Sequence, residues 1–280
     1  MKQEKKLLRI KELLAQSSEQ LREVTDVPQK EAMILLGEVL GCEMSWLLTH
    51  SDDEISMDDR FEQFLKRRTN HEPLEYILER ASFYDREFYV DSRVLIPRPE
   101  TEILVDKAVE LAQTLPEEAH IVEIGSGSGI ISIMLSLLLP KARFTAVDIS
   151  SDALHVSRHN AQIHGVSERI TFIESSYLDG VQGEIDMIVS NPPYIANKEP
   201  LGIGLSYEPF LALYGGNRGD EMLCHIIDLF LARKVKALAC EMGYDQRQPM
   251  SIYAQSKGLV IEFYKDLAGL DRGFWIKEKE

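Results

Sequence analysis

Ile121-Val122-Glu123-Ile124-Gly125-Ser126-Gly127-Ser128-Gly129-Ile130 decides how this chain reads. The segment 121–123 reads as a short strand. Three glycines at alternate positions follow, then an apolar run at 130–139 long enough for a helix. Glycines spaced this way let the backbone turn tightly and approach a ligand closely. The dinucleotide fingerprint G-x-G-x-x-G would need glycine at 130, where Ile130 stands. No Walker lysine follows, which argues against a triphosphate cradle.

Downstream, strands and helices alternate. The pattern predicts strands at 142–148, 170–174, 185–190, 235–241, 260–265 and 274–277, and helices at 152–164, 222–232 and 246–257. This is an α/β domain with a mostly parallel sheet. The connection 195–219 has the length of a binding loop or lid. Asp148 ends the second strand, where a carboxylate can accept hydrogen bonds from both ribose hydroxyls of a nucleoside. The competing reading is a helix cap, for which Ser150 or Ser151 is equally suited. Tyr177, beyond the third strand, is placed to stack on an adenine ring, although loop tyrosines are common.

Ile185-Asp186-Met187-Ile188-Val189-Ser190 runs into Asn191-Pro192-Pro193-Tyr194. Prolines fix φ and remove N–H donors, so the carbonyls of this turn are stiffly aimed and meet few competing donors. An Asn amide, bare carbonyls and an aromatic plane together suit a flat NH₂ group, as on glutamine, adenine or cytosine.

Roughly the first 80 residues carry a helical pattern. Leu7, Leu8, Leu13 and Leu14 lie near helical spacing. Thr25 or Asp26 is a candidate cap for a second helix with Pro28 in its first turn and Gly41 as its stop, and Ser56 a candidate cap for a helix carrying Phe61, Phe64 and Leu65. His50 and His71 stand alone and read as surface residues rather than ligands. From 83 to 94 the pattern turns extended and aromatic, as in a short hairpin or linker. Ile96-Pro97-Arg98-Pro99-Glu100-Thr101-Glu102 then leads into a helix predicted over 103–115.

The formal net charge is −15, from 46 acidic and 31 basic residues, which argues against a nucleic acid as main partner and suits a cationic protein surface or, equally, general solubility. Three scattered cysteines, Cys42, Cys224 and Cys240, indicate neither a disulfide framework nor a zinc site, and no metal is expected. They suit buried thiols in a reducing cytoplasm. The opening residues run into an acidic amphipathic segment and do not form a signal peptide. The apolar run 135–139 is far too short to span a bilayer.

The E-x-G-x-G-x-G spacing at 123–129 resembles the first motif of class I S-adenosylmethionine-dependent methyltransferases. With Asp148 and Asn191-Pro192-Pro193-Tyr194 in order, the chain is similar nearly throughout to the HemK/PrmC family, the protein-(glutamine-N5) methyltransferases of peptide chain release factors. Pro73-Leu74-Glu75-Tyr76-Ile77 resembles the family's linker, and Ile96 to Glu102 its IPRPETE signature. Tyr207-Glu208-Pro209, Ala212 to Gly216 with Gly219, and Glu241-Met242-Gly243 are similar to its later segments. Glu79, Ser176 and Tyr177 depart from it, standing where glycine, an acid and often tryptophan occur.

The resemblance implies a Rossmann-like, mostly parallel seven-stranded sheet with a small N-terminal helical bundle. It implies a release-factor-binding region at 1–80, a hairpin linker at 81–95 and a catalytic domain at 96–280. It implies S-adenosylmethionine as cofactor, contacted by Gly125, Ser126, Gly127, Ser128, Gly129, Asp148, Tyr177 and Asn191. It implies that Asn191, Pro192, Pro193 and Tyr194 do the chemistry on the glutamine of a Gly-Gly-Gln loop, in the cytoplasm, with no membrane or direct nucleic-acid contact. Arg98 and Glu208 are candidates for the substrate channel or for a structural role. The alternatives are an adenine-N6 DNA or RNA methyltransferase, which would need a basic groove, and a non-catalytic binding module.

Overall fold

Apolar side chains at helical spacing in the N-terminal region turn inward to form a core of their own. The computed structural model describes residues 7–56 and 58–278; the opening residues 1–6, read above as no signal peptide, lie outside the described residues. Tertiary contacts divide the chain into one unit of Met1–Glu79 with Gly202–Tyr207, and a second of Arg80–Leu201 with Glu208–Glu280.

In the first unit, β1 (Leu7–Arg9) precedes α1 (Ile10–Leu21), α2 (Pro28–Leu40) and α3 (Met44–Thr49), and β2 (Glu54–Ser56) precedes α4 (Asp59–Thr69) and α5 (Leu74–Leu78). Ile10, Leu13, Leu35, Leu36, Leu47 and Phe61 form the centre of its core. Arg68 and Glu31 make a largely buried ion pair at 2.6 Å. Gly41 stops α2 in the left-handed region at φ 67°, as its sequence position predicts.

Several local expectations shift. Leu7 and Leu8 are strand, not helix, because β1 pairs antiparallel with β2, from Leu7 opposite Ser56 to Arg9 opposite Glu54. That pairing also takes Ser56 out of the capping role; Asp58 caps α4 instead, accepting from the Arg60 N–H at 2.7 Å. Neither Thr25 nor Asp26 is the N-cap of α2; Val27 holds that position, with its N–H donated to Thr25 Oγ1 at 3.3 Å. The short α3 has too few residues for a legible period. His50 stacks on Trp46, ring centroids 4.1 Å apart.

The second unit opens with a hairpin, β3 (Arg80–Phe83) and β4 (Arg86–Tyr89), turned by Tyr84 and Asp85 at positive φ. It lies earlier than the aromatic pattern at 83–94 suggests, since Tyr84 belongs to the turn. Helix α6 (Glu100–Ala112) starts at the acidic residues themselves, three positions ahead of the predicted start, after Pro99 at the N-cap. Then follow β5 (His120–Ile124), α7 (Ile130–Leu138), β6 (Arg143–Asp148), α8 (Ser151–Ile163), β7 (Ile170–Glu174) and β8 (Met187–Ser190). The long connection holds β9 (Ile195–Ala196), α9 (Phe210–Leu213) and β10 (Tyr214–Gly216). Last come α10 (Glu221–Ala232), β11 (Ala237–Glu241), α11 (Arg247–Ser256), β12 (Ile261–Lys265) and β13 (Asp271–Lys277).

Seven strands form one sheet in the order β12-β13-β11-β8-β5-β6-β7. From β11 to β7 neighbours are parallel, and β13 is antiparallel to both of its neighbours. Successive residues serve opposite cores: Ile121, Met187 and Val189 pack on one side, Val122, Ile188 and Leu238 on the other. A central parallel strand buried on both faces needs an apolar run in place of alternation, which is why these stretches read as continuous. Each fully buried aliphatic side chain contributes roughly 1.5–3 kcal/mol. Among the described residues no helix is long and apolar enough to cross a membrane.

Glu123 is a buried carboxyl within this apolar interior. It is fully buried in β5 and accepts both the N–H of Ser132, at 2.9 Å, and its hydroxyl, which fastens the strand to α7. Burial pushes its carboxyl up to about 8, with the Asp148 charge acting in the same direction and the Ser132 bonds opposing. The native chain thus keeps a proton that the unfolded chain releases near the ordinary 4.5. This contribution to stability is complete below that value and is lost as pH rises through about 8. Chemical denaturation of the cofactor-free protein should show stability falling over this window by at most roughly 1.4 kcal/mol per pH unit from this group. Glu123→Gln should flatten the fall; an unchanged slope in that variant would show Glu123 already ionised in the native state.

Candidate active site

Glycines after β5 fold the loop over the end of β6. Gly125, Gly127 and Gly129 take φ of +75°, +52° and +82°, a region open to glycine at little strain. The N–H groups of Gly125 and Ser126 both donate to the Val147 carbonyl, at 2.8 and 3.0 Å. The Gly127 N–H donates to Asp148 Oδ2 at 2.9 Å, and the Ser150 N–H to Asp148 Oδ1 at 2.9 Å. Asp148 is thereby clamped between the glycine loop and the start of α8. Each of its oxygens has lone pairs left for a further donor. The capping role falls to Ser150, whose Oγ accepts from the Ala153 N–H at 3.2 Å. Burial pushes the Asp148 carboxyl up, opposed by the Ser150 and Gly127 N–H groups.

Residues 125–128, Asp148, Tyr177, Asn191 and Pro193 all line one cleft. Gly129 sits behind it as the N-cap of α7, where a Cβ would come within 3.2 Å of Ser157 Cα. Among the described residues the buried Ser126 hydroxyl has no hydrogen-bond partner. Tyr177, held at φ 48°, packs edge-on to His225 with ring centroids 4.3 Å apart. Pro192 is buried beside the cleft, and the Tyr194 hydroxyl turns away from solvent toward Glu241.

The Asn191–Tyr194 turn is braced on several sides. Ser190 Oγ donates to the Ile124 carbonyl at 2.7 Å, tying the ends of β8 and β5. Gln246 Nε2 donates to the Tyr194 carbonyl at 3.0 Å, while its Oε1 accepts from the Gly243 N–H at 2.9 Å. β9 and β10 pair in parallel, which brings Gly215 so close that a Cβ there would lie 2.9 Å from the Pro193 carbonyl carbon. The second half of the long connection is therefore a packed backing for the turn, and Pro209, Leu211 and Ala212 also line the cleft.

Of two residues that the sequence reading left without a role, one stands next to Asn191 and the other behind it. Asn191 Nδ2 donates to Thr101 Oγ1 at 3.2 Å, and the Thr101 hydroxyl donates to Glu241 Oε2 at 2.8 Å. Tyr194 Oη donates to the other oxygen of Glu241 at 3.3 Å. The available signals were the place of Thr101 inside the Ile96–Glu102 signature and of Glu241 at a strand end. Neither says that the two side chains meet. Arg98 lines the cleft and pairs with the buried Glu208 at 2.5 Å, and Glu208 also accepts from the Ile96 N–H at 3.1 Å. Glu208 is thus a structural anchor for the signature segment, and only Arg98 of the pair borders the cleft.

Asp148→Ala removes the carboxylate that clamps the glycine loop and lines the cleft. Calorimetry with S-adenosylmethionine should show affinity weakened roughly 10- to 100-fold, the equivalent of one or two lost charge-assisted hydrogen bonds. Unchanged affinity would remove Asp148 from the binding site.

Comparison with known proteins places this cleft in a family. Residues 12–78 match the PrmC N-terminal domain family, and residues 102–203 the Methyltransferase small domain family. A release factor glutamine methyltransferase of Chlorobaculum tepidum is 39% identical over 264 residues, covering 89% of this chain and 90% of that protein. A bifunctional methyltransferase of Rickettsia felis is 35% identical over 94% of this chain, which spans 57% of that longer protein's length. Among solved structures, the human METTL16 catalytic domain bound to an RNA hairpin aligns at TM-score 0.57 and 14% identity, over 82% of this chain and 86% of that one. A ribosomal protein L11 methylase of Lactobacillus delbrueckii aligns at TM-score 0.51 and 21% identity, over 71% and 90%. These two likenesses concern the fold, which is that of class I S-adenosylmethionine-dependent methyltransferases. By sequence identities of 34–39% over 72–90% of proteins of that name, the chain belongs to the release factor glutamine methyltransferase family.

Proposed function

We infer that this protein transfers a methyl group from S-adenosylmethionine to the side-chain amide nitrogen, N5, of the glutamine in the Gly-Gly-Gln motif of peptide chain release factors. The observation that carries the reading is the opening of Asn191 and Pro193 into the same cleft as the glycine loop and Asp148. The family supports the choice of glutamine over a base. The net charge of −15 supports a protein partner over nucleic acid.

The residues present fit the cofactor. Asp148 would accept the ribose hydroxyls, Tyr177 would border the adenine, and the loop 125–129 would allow a close backbone approach. The Ser126 hydroxyl, buried and unpartnered, has a hydrogen bond to give at the cleft. When bound, S-adenosylmethionine supplies an electrophilic methyl group on a sulfonium.

An amide nitrogen is a poor nucleophile because its lone pair is shared with the carbonyl. Asn191 Oδ1 and the Pro192 carbonyl accept the two hydrogens of the substrate amide, which fixes the nitrogen and favours a pyramidal geometry with its lone pair free of conjugation. Pro193 stiffens the turn, and the Tyr194 ring closes the slot against water. The proton leaves to water after the new C–N bond has formed. The N-terminal helical region, 1–80, recognises the release factor, 81–95 links it to the catalytic region 96–280, and the reaction takes place in the cytoplasm. The three unpaired thiols accord with a reducing compartment.

Mass spectrometry of a release factor incubated with the protein and labelled cofactor should find one added methyl on that glutamine, and none on an oligonucleotide offered in parallel. Asn191→Ala should lower kcat by about 10²-fold or more while cofactor affinity changes much less. Near-normal turnover of that variant would refute the assignment of Asn191.

A further inference from the structure

Glu241 is a buried carboxylate, 1% exposed, at the end of β11, and the reaction outlined above gives it no task. A carboxylate at this depth needs protein donors to offset its lost hydration. Among the described residues it has two: the Thr101 hydroxyl on Oε2 at 2.8 Å and the Tyr194 hydroxyl on Oε1 at 3.3 Å. An ionised carboxylate only accepts, so both hydroxyl protons point to it. The Thr101 oxygen has one proton to give. With that proton committed to Glu241, the oxygen can act toward Asn191 only as an acceptor.

An Asn amide has a donating end and an accepting end. With Nδ2 held by Thr101 at 3.2 Å, Oδ1 is left for another donor. The reverse orientation would set Oδ1 against an oxygen with no proton to offer. The charge on Glu241 therefore gives the chain of bonds a direction.

We propose that Glu241 and Thr101 are positioning residues: the carboxylate, acting through the threonine hydroxyl, turns the Asn191 oxygen to the substrate nitrogen. Through the Tyr194 hydroxyl the same carboxylate holds a second residue of the amide slot. The proposal rests on the reading of Asn191 as the acceptor of the substrate amide.

Burial pushes the Glu241 carboxyl up to about 7, with Glu100 adding to the rise and Thr101, Tyr194 and Arg272 opposing it. Arg272 is itself held by Asp266 at 2.8 Å, and Tyr264 and Cys240 are the other titratable groups packed around this carboxylate. Once protonated, Glu241 can donate, and the direction of the relay is lost. In Glu241→Gln the new amide can likewise donate to Thr101, whose proton is then free to turn to Asn191 Oδ1.

The test measures kcat and KM for a purified release factor with the full chain, together with S-adenosylmethionine affinity by calorimetry. Thr101→Val should lower kcat roughly 10- to 100-fold, as expected for a misplaced reacting group. Its KM and cofactor affinity should stay within about threefold, and Thr101→Ser should recover kcat to within about threefold of the unaltered protein. The unaltered protein should show kcat falling below about pH 7, an acid limb absent in Glu241→Gln.

Wild-type kcat in Thr101→Val, a Thr101→Ser as slow as Thr101→Val, or an acid limb that survives in Glu241→Gln would each overturn the proposal. If Glu241→Gln does not fold, the threonine pair decides. An active Asn191→Ala would sink the underlying reading as well. An inactive Asn191→Ala beside a fully active Thr101→Val would sink the relay alone.

Discussion

Strand β5 has a parallel partner on each side, β6 and β8, and the rest of the catalytic region follows from that constraint. After β5 the chain proceeds to β6 and β7 on one side, then crosses to β8 and β11 on the other. A crevice opens where the order reverses, at the carboxyl ends of the strands. Both faces of the sheet are buried, which leaves little room along the strands, the hydrogen-bonded Glu123 and Thr145 apart, for polar side chains. They collect at the strand ends: Asp148 on β6, Ser190 and Asn191 at β8, Glu241 on β11.

Those ends are held by the protein's own bonds. The glycine loop is pinned to Val147 and Asp148, and the Asn191–Tyr194 turn is backed by Ser190, Gln246 and Gly215. A site that aligns a weak nucleophile gains from such stiffness, because groups already oriented need no reorganisation when charge develops. The polar chain from Asn191 through Thr101 to Glu241 follows the same principle. It links the end of β8, the start of α6 and the end of β11, three segments far apart in sequence.

Much of the catalytic region was legible before any coordinates. Its parallel strands and main helices lie within a few residues of their predicted positions, because a buried strand must be apolar and a helix must repeat. The errors have physical causes. Leu7 and Leu8 looked helical because spacing carries no word of β2, nearly fifty residues away, whose pairing overrides it. Ser56 looked like a cap for the same reason. Asp148 and Ser150 were rival caps by composition, and the Gly127 N–H that occupies Asp148 is what separates their roles.

The sequence by itself determined the glycine loop, the acid at the end of the second strand, the proline-stiffened turn and the family to which they point, since each is a local pattern imposed by backbone chemistry. Only the tertiary structure decided which side chains share the cleft, and that Glu208 braces Ile96 and Arg98. It alone brought Thr101 to Asn191 and Glu241 to Thr101. A hydrogen bond reaches about 3 Å, and one-dimensional order holds no measure of which distant residues folding will bring within that distance.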